Sequence, residues 1–229
     1  MNIFLFHHAG GDKYFFREFE KKLLPHLEPI SIEVPGRGDR FGEELLKDMD
    51  SITEDVYQQI KPYINKPYMM LGFSMGTLVA YSLMLKIRKQ GKLLPKHVFL
   101  LGRESPDFFK RDIFSYKYSS KDFWNHVSKY GGLPEILLQN EEIKNMYEPI
   151  LRADFQVLEE FAFKQEPKLQ VSATILLGDE DMVKEENAQT WQLHFEPEID
   201  MHTLKGGHFF LLDNMDDIAR MIKSKVYND

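Results

Sequence analysis

The pentapeptide Gly72-Phe73-Ser74-Met75-Gly76 is the sharpest chemical signal in the chain. It follows an apolar run and opens a helical pattern, the context in which G-x-S-x-G forms a tight strand-to-helix turn that exposes a serine hydroxyl. Side chains at either glycine would collide with neighbouring backbone in so tight a turn. The rival reading is a chance glycine–serine turn. A serine hydroxyl is a poor nucleophile without a base. Of the eight histidines, His208 in Gly206-Gly207-His208 follows the last predicted strand and precedes the last predicted helix. That gives the chain order serine, acid, histidine. The acid should follow the fifth strand, where Gly178-Asp179-Glu180-Asp181 offers three carboxylates. Asp181, 27 residues before the histidine, is favoured. Asp179 is the second candidate, with capping of the turn as its other role. A carboxylate here would fix the imidazole tautomer and stabilise its charged form.

Two backbone N–H groups are needed to hold an oxyanion. The Met75 amide follows the nucleophile, and the loop His8-Ala9-Gly10-Gly11 after the first strand offers the other, at Ala9. His7, His26, His97, His126, His194 and His202 read as structural or surface residues. His8 stays open, because it ends the first strand beside the presumed site. The basic cluster Lys86, Arg88, Lys89, Lys92 and Lys96 reads as the solvated end of a helix. There is no Walker A sequence, H-E-x-x-H or S-x-x-K, and Gly36-Arg37-Gly38 lacks the third glycine of a dinucleotide loop.

These residues need a scaffold. Short apolar runs predict strands over Ile3–His8, Ile30–Val34, Tyr68–Phe73, Val98–Gly102 and Thr174–Leu177, with a weaker sixth over Asp200–Leu204. Near-continuous apolar strands suit a parallel sheet covered on both faces. Ser51-Ile52-Thr53-Glu54 has capping-box spacing and predicts a helix towards Ile64. Thr77 to Gln90 predicts another, with Leu78, Ser82, Leu85 and Lys89 on one face and Gly91 ending it. Asn214 to Val226 closes the chain. Strand–helix alternation means an α/β fold with a mainly parallel sheet. It breaks between about 103 and 163, where helical segments are predicted around Lys121–Lys129, Pro134–Leu138 and Glu141–Phe163, with Pro149 kinking or dividing the last. This block carries Phe108, Phe109, Phe114, Phe123, Trp124, Phe155, Phe161 and Phe163. It reads as a helical lid inserted into a single domain spanning 1–229, with Trp124 and several phenylalanines facing inward over Ser74.

The 229 residues are 43% hydrophobic, which suffices for a core without staples. The chain has no cysteine, which excludes disulfides, thiol nucleophiles and Cys-based metal sites. A net charge of −7 gives no basic face for nucleic acid. No apolar run is long enough for a bilayer, and the N-terminus lacks signal-peptide character. A cytoplasmic protein that binds neither nucleic acid nor membrane, and acts as a monomer, is expected.

The sequence resembles the type II thioesterases that accompany nonribosomal peptide and polyketide synthases. The resemblance covers nearly the whole chain. Its landmarks are His8-Ala9-Gly10-Gly11, Pro35-Gly36-Arg37-Gly38-Asp39-Arg40, Gly72-Phe73-Ser74-Met75-Gly76, Gly102-Arg103-Glu104-Ser105-Pro106, Gly131-Gly132-Leu133-Pro134, Leu151-Arg152-Ala153-Asp154-Phe155 and Gly206-Gly207-His208-Phe209-Phe210. The Pro-Gly-Arg-Gly-Asp-Arg and Leu-Arg-Ala-Asp-Phe stretches are far more specific than the serine pentapeptide. The resemblance implies an α/β-hydrolase fold with a flexible helical lid. It also implies hydrolysis of stalled or wrong acyl groups from the phosphopantetheine arm of carrier-protein domains. The matched catalytic residues are Ser74, Asp181 and His208, and no metal or redox cofactor is required. Phe73 departs from the pattern, since the family usually has histidine there. A small-molecule esterase or lipase with the same triad, acyl transfer to an alcohol or amine, and a catalytically idle binding module remain as alternatives.

Overall fold

The computed structural model describes residues 1–108, 114–132 and 139–227. Six strands, β1 (Asn2–Phe6), β2 (Glu28–Ser31), β3 (Tyr68–Phe73), β4 (His97–Leu101), β5 (Ser172–Gly178) and β6 (Asp200–Leu204), form one sheet of order β2-β1-β3-β4-β5-β6. Every pair is parallel. The main helices are α1 (Arg17–Leu23), α2 (Met49–Ile60), α3 (Met75–Lys89), α4 (Ser120–Val127), α5 (Glu141–Glu160) and α6 (Met215–Tyr227).

The two-residue period of the strands sorts side chains between two cores. Phe4, Met70, Val98 and Ile175 face α2 and α3, while Ile3, Leu5, Met69, Leu71 and Phe99 face α1 and α6. Both faces are apolar because both are covered. Burying each Leu, Ile, Val or Met of α3 contributes about 1.5–3 kcal/mol.

Several predicted boundaries shift. β1 stops at Phe6, because the carbonyls of Phe6 and His7 lie against Gly76 at the start of α3. β2 begins two residues early, since the register with β1 runs from Asn2↔Glu28 to Leu5↔Ser31. Ser51 does not cap α2. Asp48 does, accepting from the Ser51 amide at 2.8 Å and hydroxyl at 2.7 Å, and the helix ends at Ile60 rather than Ile64. The stripe Leu78, Ser82, Leu85 and Lys89 is not the core face of α3. Leu78 is buried, Ser82 and Leu85 are half-buried and Lys89 is exposed, whereas Val79, Leu83, Met84 and Ile87 are all buried. Gly91 does end the helix with φ +61, the Lys92 amide reaching back to the Ile87 carbonyl.

The basic cluster at that end is solvated at Lys89 and Lys92 and also carries ion pairs. Lys86 pairs with Glu54, and Arg88 and Lys89 share Glu166.

Between 103 and 160 the described residues hold helices and turns and no strand, and beyond them an irregular stretch leads to β5, with Leu169 making an isolated parallel bridge to Phe195. Asn140 caps α5 by accepting from the Glu142 and Ile143 amides. α5 then runs undivided through Pro149. The segment predicted over Pro134–Leu138, the Leu133-Pro134 landmark and Phe109 lie outside the described residues. Phe123, Trp124, Val127, Leu151 and Phe155 form a separate small cluster. Among the described residues no helix is long and apolar enough to cross a membrane.

Candidate active site

The turn between β3 and α3 forces Ser74 to φ 53 and ψ −112. It is the one non-glycine residue with positive φ among the described residues. Such a conformation costs on the order of 1–3 kcal/mol and persists only where the surroundings over-determine it. Here they do. The Ser74 amide donates to the Leu101 carbonyl at 2.8 Å, and the Thr77 amide and hydroxyl both return to the Ser74 carbonyl. Neither Gly72 nor Gly76 has room for a Cβ. At Gly72 it would lie 2.3 Å from the Gly76 carbonyl oxygen, and at Gly76 2.0 Å from that of Phe6. Helix α3 starts at Met75, so the Met75 amide is one of the N-terminal donors that the helix itself does not satisfy.

His208 stands on the loop after β6. Its Nε2 lies 2.9 Å from the Ser74 hydroxyl oxygen, and its Nδ1 lies 3.0 and 3.1 Å from the two Asp181 carboxylate oxygens. The Asp181 side chain is fully buried and that of His208 nearly so. With Asp181 accepting from Nδ1–H, Nε2 presents its lone pair to the serine. The line of hydroxyl, imidazole and carboxylate can therefore remove a proton from Ser74 while the positive charge stays compensated. Asp179 is turned elsewhere. It is exposed, and its carboxylate accepts from the Gly206 amide at 2.8 Å. The turn after β5 is thus clamped to the loop carrying His208, with Gly178 lying against the Gly206 and Gly207 carbonyls.

The loop after β1 closes the other side. The Gly11 amide donates to the His8 carbonyl at 3.0 Å and the Gly10 amide to Asp154 at 2.7 Å. Ala9 lines the same cavity as Ser74 and His208. His8 reaches it too. Its ring sits among Phe15, Phe73 and Phe209, with centroids 4.4, 5.6 and 5.0 Å away. Burial, followed by the nearby His7 and His208, lowers its pKa to about 3, so it is a neutral ring. Phe73 is fully buried beneath the elbow, stacked on Phe15 and 5.6 Å from the His208 ring.

The cavity measures about 530 Å³. Val127, Tyr130, Ile143, Tyr147, Leu151 and Phe155 of the helical insertion make its apolar wall, with Arg103 and Glu159 as charged exceptions. Tyr130 packs edge-on against His208 at 5.7 Å. Phe123 and Trp124 are not in this wall. They are held in the insertion's own cluster, where Trp124 donates to Glu148 at 2.7 Å and Arg152 sits 4.4 Å over the Phe123 ring. Phe108 and Phe114 are partly exposed. The inward-facing aromatics are Phe155 and the tyrosines instead.

Sequence reasoning missed one polar feature. Arg37 and Asp154 form a buried bidentate ion pair at 2.5 and 2.8 Å. Both lie in landmark motifs, yet nothing in either motif says that they meet. Among the described residues no group of three or more His, Cys, Asp or Glu side chains could hold a metal ion.

A family model described as the thioesterase domain matches residues 1–226. Linear gramicidin dehydrogenase LgrE of Brevibacillus parabrevis is 30% identical over 228 residues, covering 98% of this chain and 87% of that protein. Gramicidin S biosynthesis protein GrsT of Aneurinibacillus migulanus is 31% identical over 217 residues, covering 93% and 84%. Among solved structures, the type II thioesterase BorB from the borrelidin biosynthetic cluster superposes with a TM-score of 0.89 at 26% identity, covering 98% of this chain and 92% of that one.

Proposed function

The chain belongs to the thioesterase-domain family, and from that premise we propose that Ser74, Asp181 and His208 hydrolyse acyl thioesters on the phosphopantetheine arm of carrier-protein domains in nonribosomal peptide or polyketide synthesis. The fold is that of the α/β-hydrolases. One observation carries the assignment: a single imidazole bridges Ser74 at 2.9 Å and Asp181 at 3.0 Å inside an apolar cavity.

In the first half-reaction His208 takes the proton from Ser74 as its oxygen attacks the thioester carbonyl. The Met75 and Ala9 amides hold the oxyanion, an interaction that strengthens as charge develops. The tetrahedral species collapses, the pantetheine thiol leaves with the proton, and an acyl-Ser74 ester remains. His208 then removes a proton from water, which attacks the ester and releases the acid with Ser74 restored. A thiol leaves more readily than an alcohol, so leaving-group protonation matters less than in ester cleavage. The Ala9 assignment draws support from its neighbours, since the Gly10 and Gly11 amides are already engaged.

The insertion between about 103 and 163 acts as a lid on a single domain spanning 1–229, supported by its contribution of Tyr130, Leu151 and Phe155 to the cavity wall. The names of GrsT and BorB place those proteins in gramicidin S and borrelidin biosynthesis, and in a biosynthetic setting of that kind the acyl groups removed here are stalled or wrong ones. The dehydrogenase in the LgrE name stays with that protein, because the groups meeting here are those of acyl transfer. The protein acts as a cytoplasmic monomer, with no nucleic acid or membrane as partner, and Ser74, Asp181 and His208 all come from one chain.

The test is a panel of acyl-carrier-protein thioesters and simple esters, with product and acyl-enzyme followed by intact mass. Carrier-bound thioesters should be turned over best, and Ser74→Ala should lose about 10⁴-fold or more. Retention of more than about one per cent of activity would move the nucleophile elsewhere. Faster turnover of simple esters would favour the esterase reading.

A further inference from the structure

The Ala9 amide belongs to a loop with little secondary structure of its own, so something else must aim it. The peptide joining His8 to Ala9 is fixed at its carbonyl. That oxygen accepts from the Gly11 amide at 3.0 Å and from His7 Nδ1 at 2.9 Å. In a planar trans peptide the N–H points opposite to the C=O. The Ala9 N–H is therefore directed away from those two donors. The next peptide is fixed at its N–H, where Gly10 donates to Asp154 at 2.7 Å.

Asp154 is brought to this point by helix α5, 144 residues further along the chain. The same helix face presents Leu151, three residues earlier, directly against the Cα of Gly10, where a Cβ would lie 2.4 Å from its methyl carbon. Gly10 itself has φ +75, so no other residue type fits without strain. Asp154 is wholly buried, and a carboxylate there needs compensation. Arg37, just past β2, supplies it with both terminal nitrogens, and one of them lies 3.4 Å from the Gly11 carbonyl oxygen.

We propose that Asp154 is a positioning residue for the reaction: with its buried charge compensated by Arg37, it pins the Gly10 amide and thereby orients the Ala9 amide as an oxyanion donor. The insertion's principal helix then serves chemistry directly as well as lining the cavity. This rests on the Ser74 and Ala9 assignments above. It goes beyond them in giving a function to two buried charges that touch neither substrate nor triad.

Removing one partner of a buried pair destabilises a protein by about 3–5 kcal/mol, whereas replacing both with side chains of similar volume is often neutral. The test therefore compares two double variants that both lack the ion pair. Arg37→Met with Asp154→Asn keeps an oxygen for the Gly10 N–H, and Arg37→Met with Asp154→Leu does not. The second should lose about 10²–10³-fold in kcat, the cost of an oxyanion donor, with KM changed only a few-fold. The first should stay within about tenfold of the unmodified enzyme, well short of the loss of a donor. Equal kcat values for the two would overturn the proposal. Should either variant fail to fold, hydrogen exchange at the Gly10 amide of the unmodified protein decides the matter. Strong protection supports the pin, and exchange at the rate of an open loop refutes it. Ser74→Ala run alongside separates the two levels: full activity there sinks the underlying mechanism, whereas an inactive Ser74→Ala with equal double variants sinks the clamp alone.

Discussion

Replacing Gly76 with alanine adds one carbon and two hydrogens where the neighbouring backbone leaves no space for them. The new Cβ would lie 2.0 Å from the Phe6 carbonyl oxygen, 2.6 Å from its carbon and 2.9 Å from the His7 oxygen. All three are backbone atoms of the segment leading from β1 into the Ala9 loop, so no side chain can swing aside. Reaching even the 3.0 Å at which such contacts begin to occur requires about 1 Å of separation between β1 and the start of α3. That separation moves the Met75 amide, on α3, away from the Ala9 amide, on the β1 side. A misplacement of this size costs about 10²-fold in rate, or about 2.7 kcal/mol in the barrier. Thiol release from an acyl thioester, followed with a colorimetric thiol reagent, should show kcat falling by that factor while KM changes little. Gly91→Ala is the control. It too replaces a glycine, here one of positive φ, but nothing lies within 4 Å of its Cβ, so it should lower stability by about 1 kcal/mol and leave kcat alone. A folded Gly76→Ala protein with kcat within threefold of the unmodified enzyme would refute the geometric reasoning.

Asp181→Asn should lower kcat by about 10⁴-fold, as loss of the partner that fixes the imidazole does. Asp179→Asn should cost tenfold or less, and equal losses in the same assay would show that Asp179 does more than tie down Gly206. Phe123→Ala should lower stability by about 3–5 kcal/mol without altering acyl-chain preference, because Phe123 is fully buried outside the cavity. Phe155→Ala should change that preference, and a chain-length series read against thermal melts distinguishes the two. Acidification should destabilise the protein between pH 6 and 5. Burial lowers His7 and His8 to about 3 and His97 to about 4, so unfolding takes up protons that the native state refuses. Glu33, raised to about 7 by burial, opposes this by one proton. The net uptake of about two protons corresponds to on the order of 2–3 kcal/mol per pH unit. Glu33→Gln should steepen the loss, and denaturant midpoints that are flat or rising over this interval would contradict it.

The serine turn was readable because its sterics leave little choice of residue, with Gly72 and Gly76 admitting no Cβ. His208 and Asp181 were readable because each follows a strand end at a site fixed by the order of the sheet. Local competition was harder to see. Asp48 and Ser51 both suit a cap, and only the backbone course shows that Asp48 takes it. The aromatic content of the insertion points Phe123 and Trp124 inward over Ser74, but composition does not say which core receives them, and it is the insertion's own. The Arg37–Asp154 pair lay beyond reach, since 117 residues separate the two charges and neither local motif names the other as its partner.

The turns after β5 and β6 have a consequence for anyone who would rebuild this enzyme. Asp179 holds the Gly206 amide, the Glu180 amide reaches the Gly206 carbonyl, and Gly178 leaves no gap between the two. Asp181 and His208 therefore travel as one cassette, while Ser74 belongs to another. A chimaera that cuts between Asp181 and Gly206 would import half of that cassette and break its internal register. One that takes the whole span keeps the Asp181–His208 distance intact, leaving a single docking problem, the 2.9 Å between His208 and Ser74.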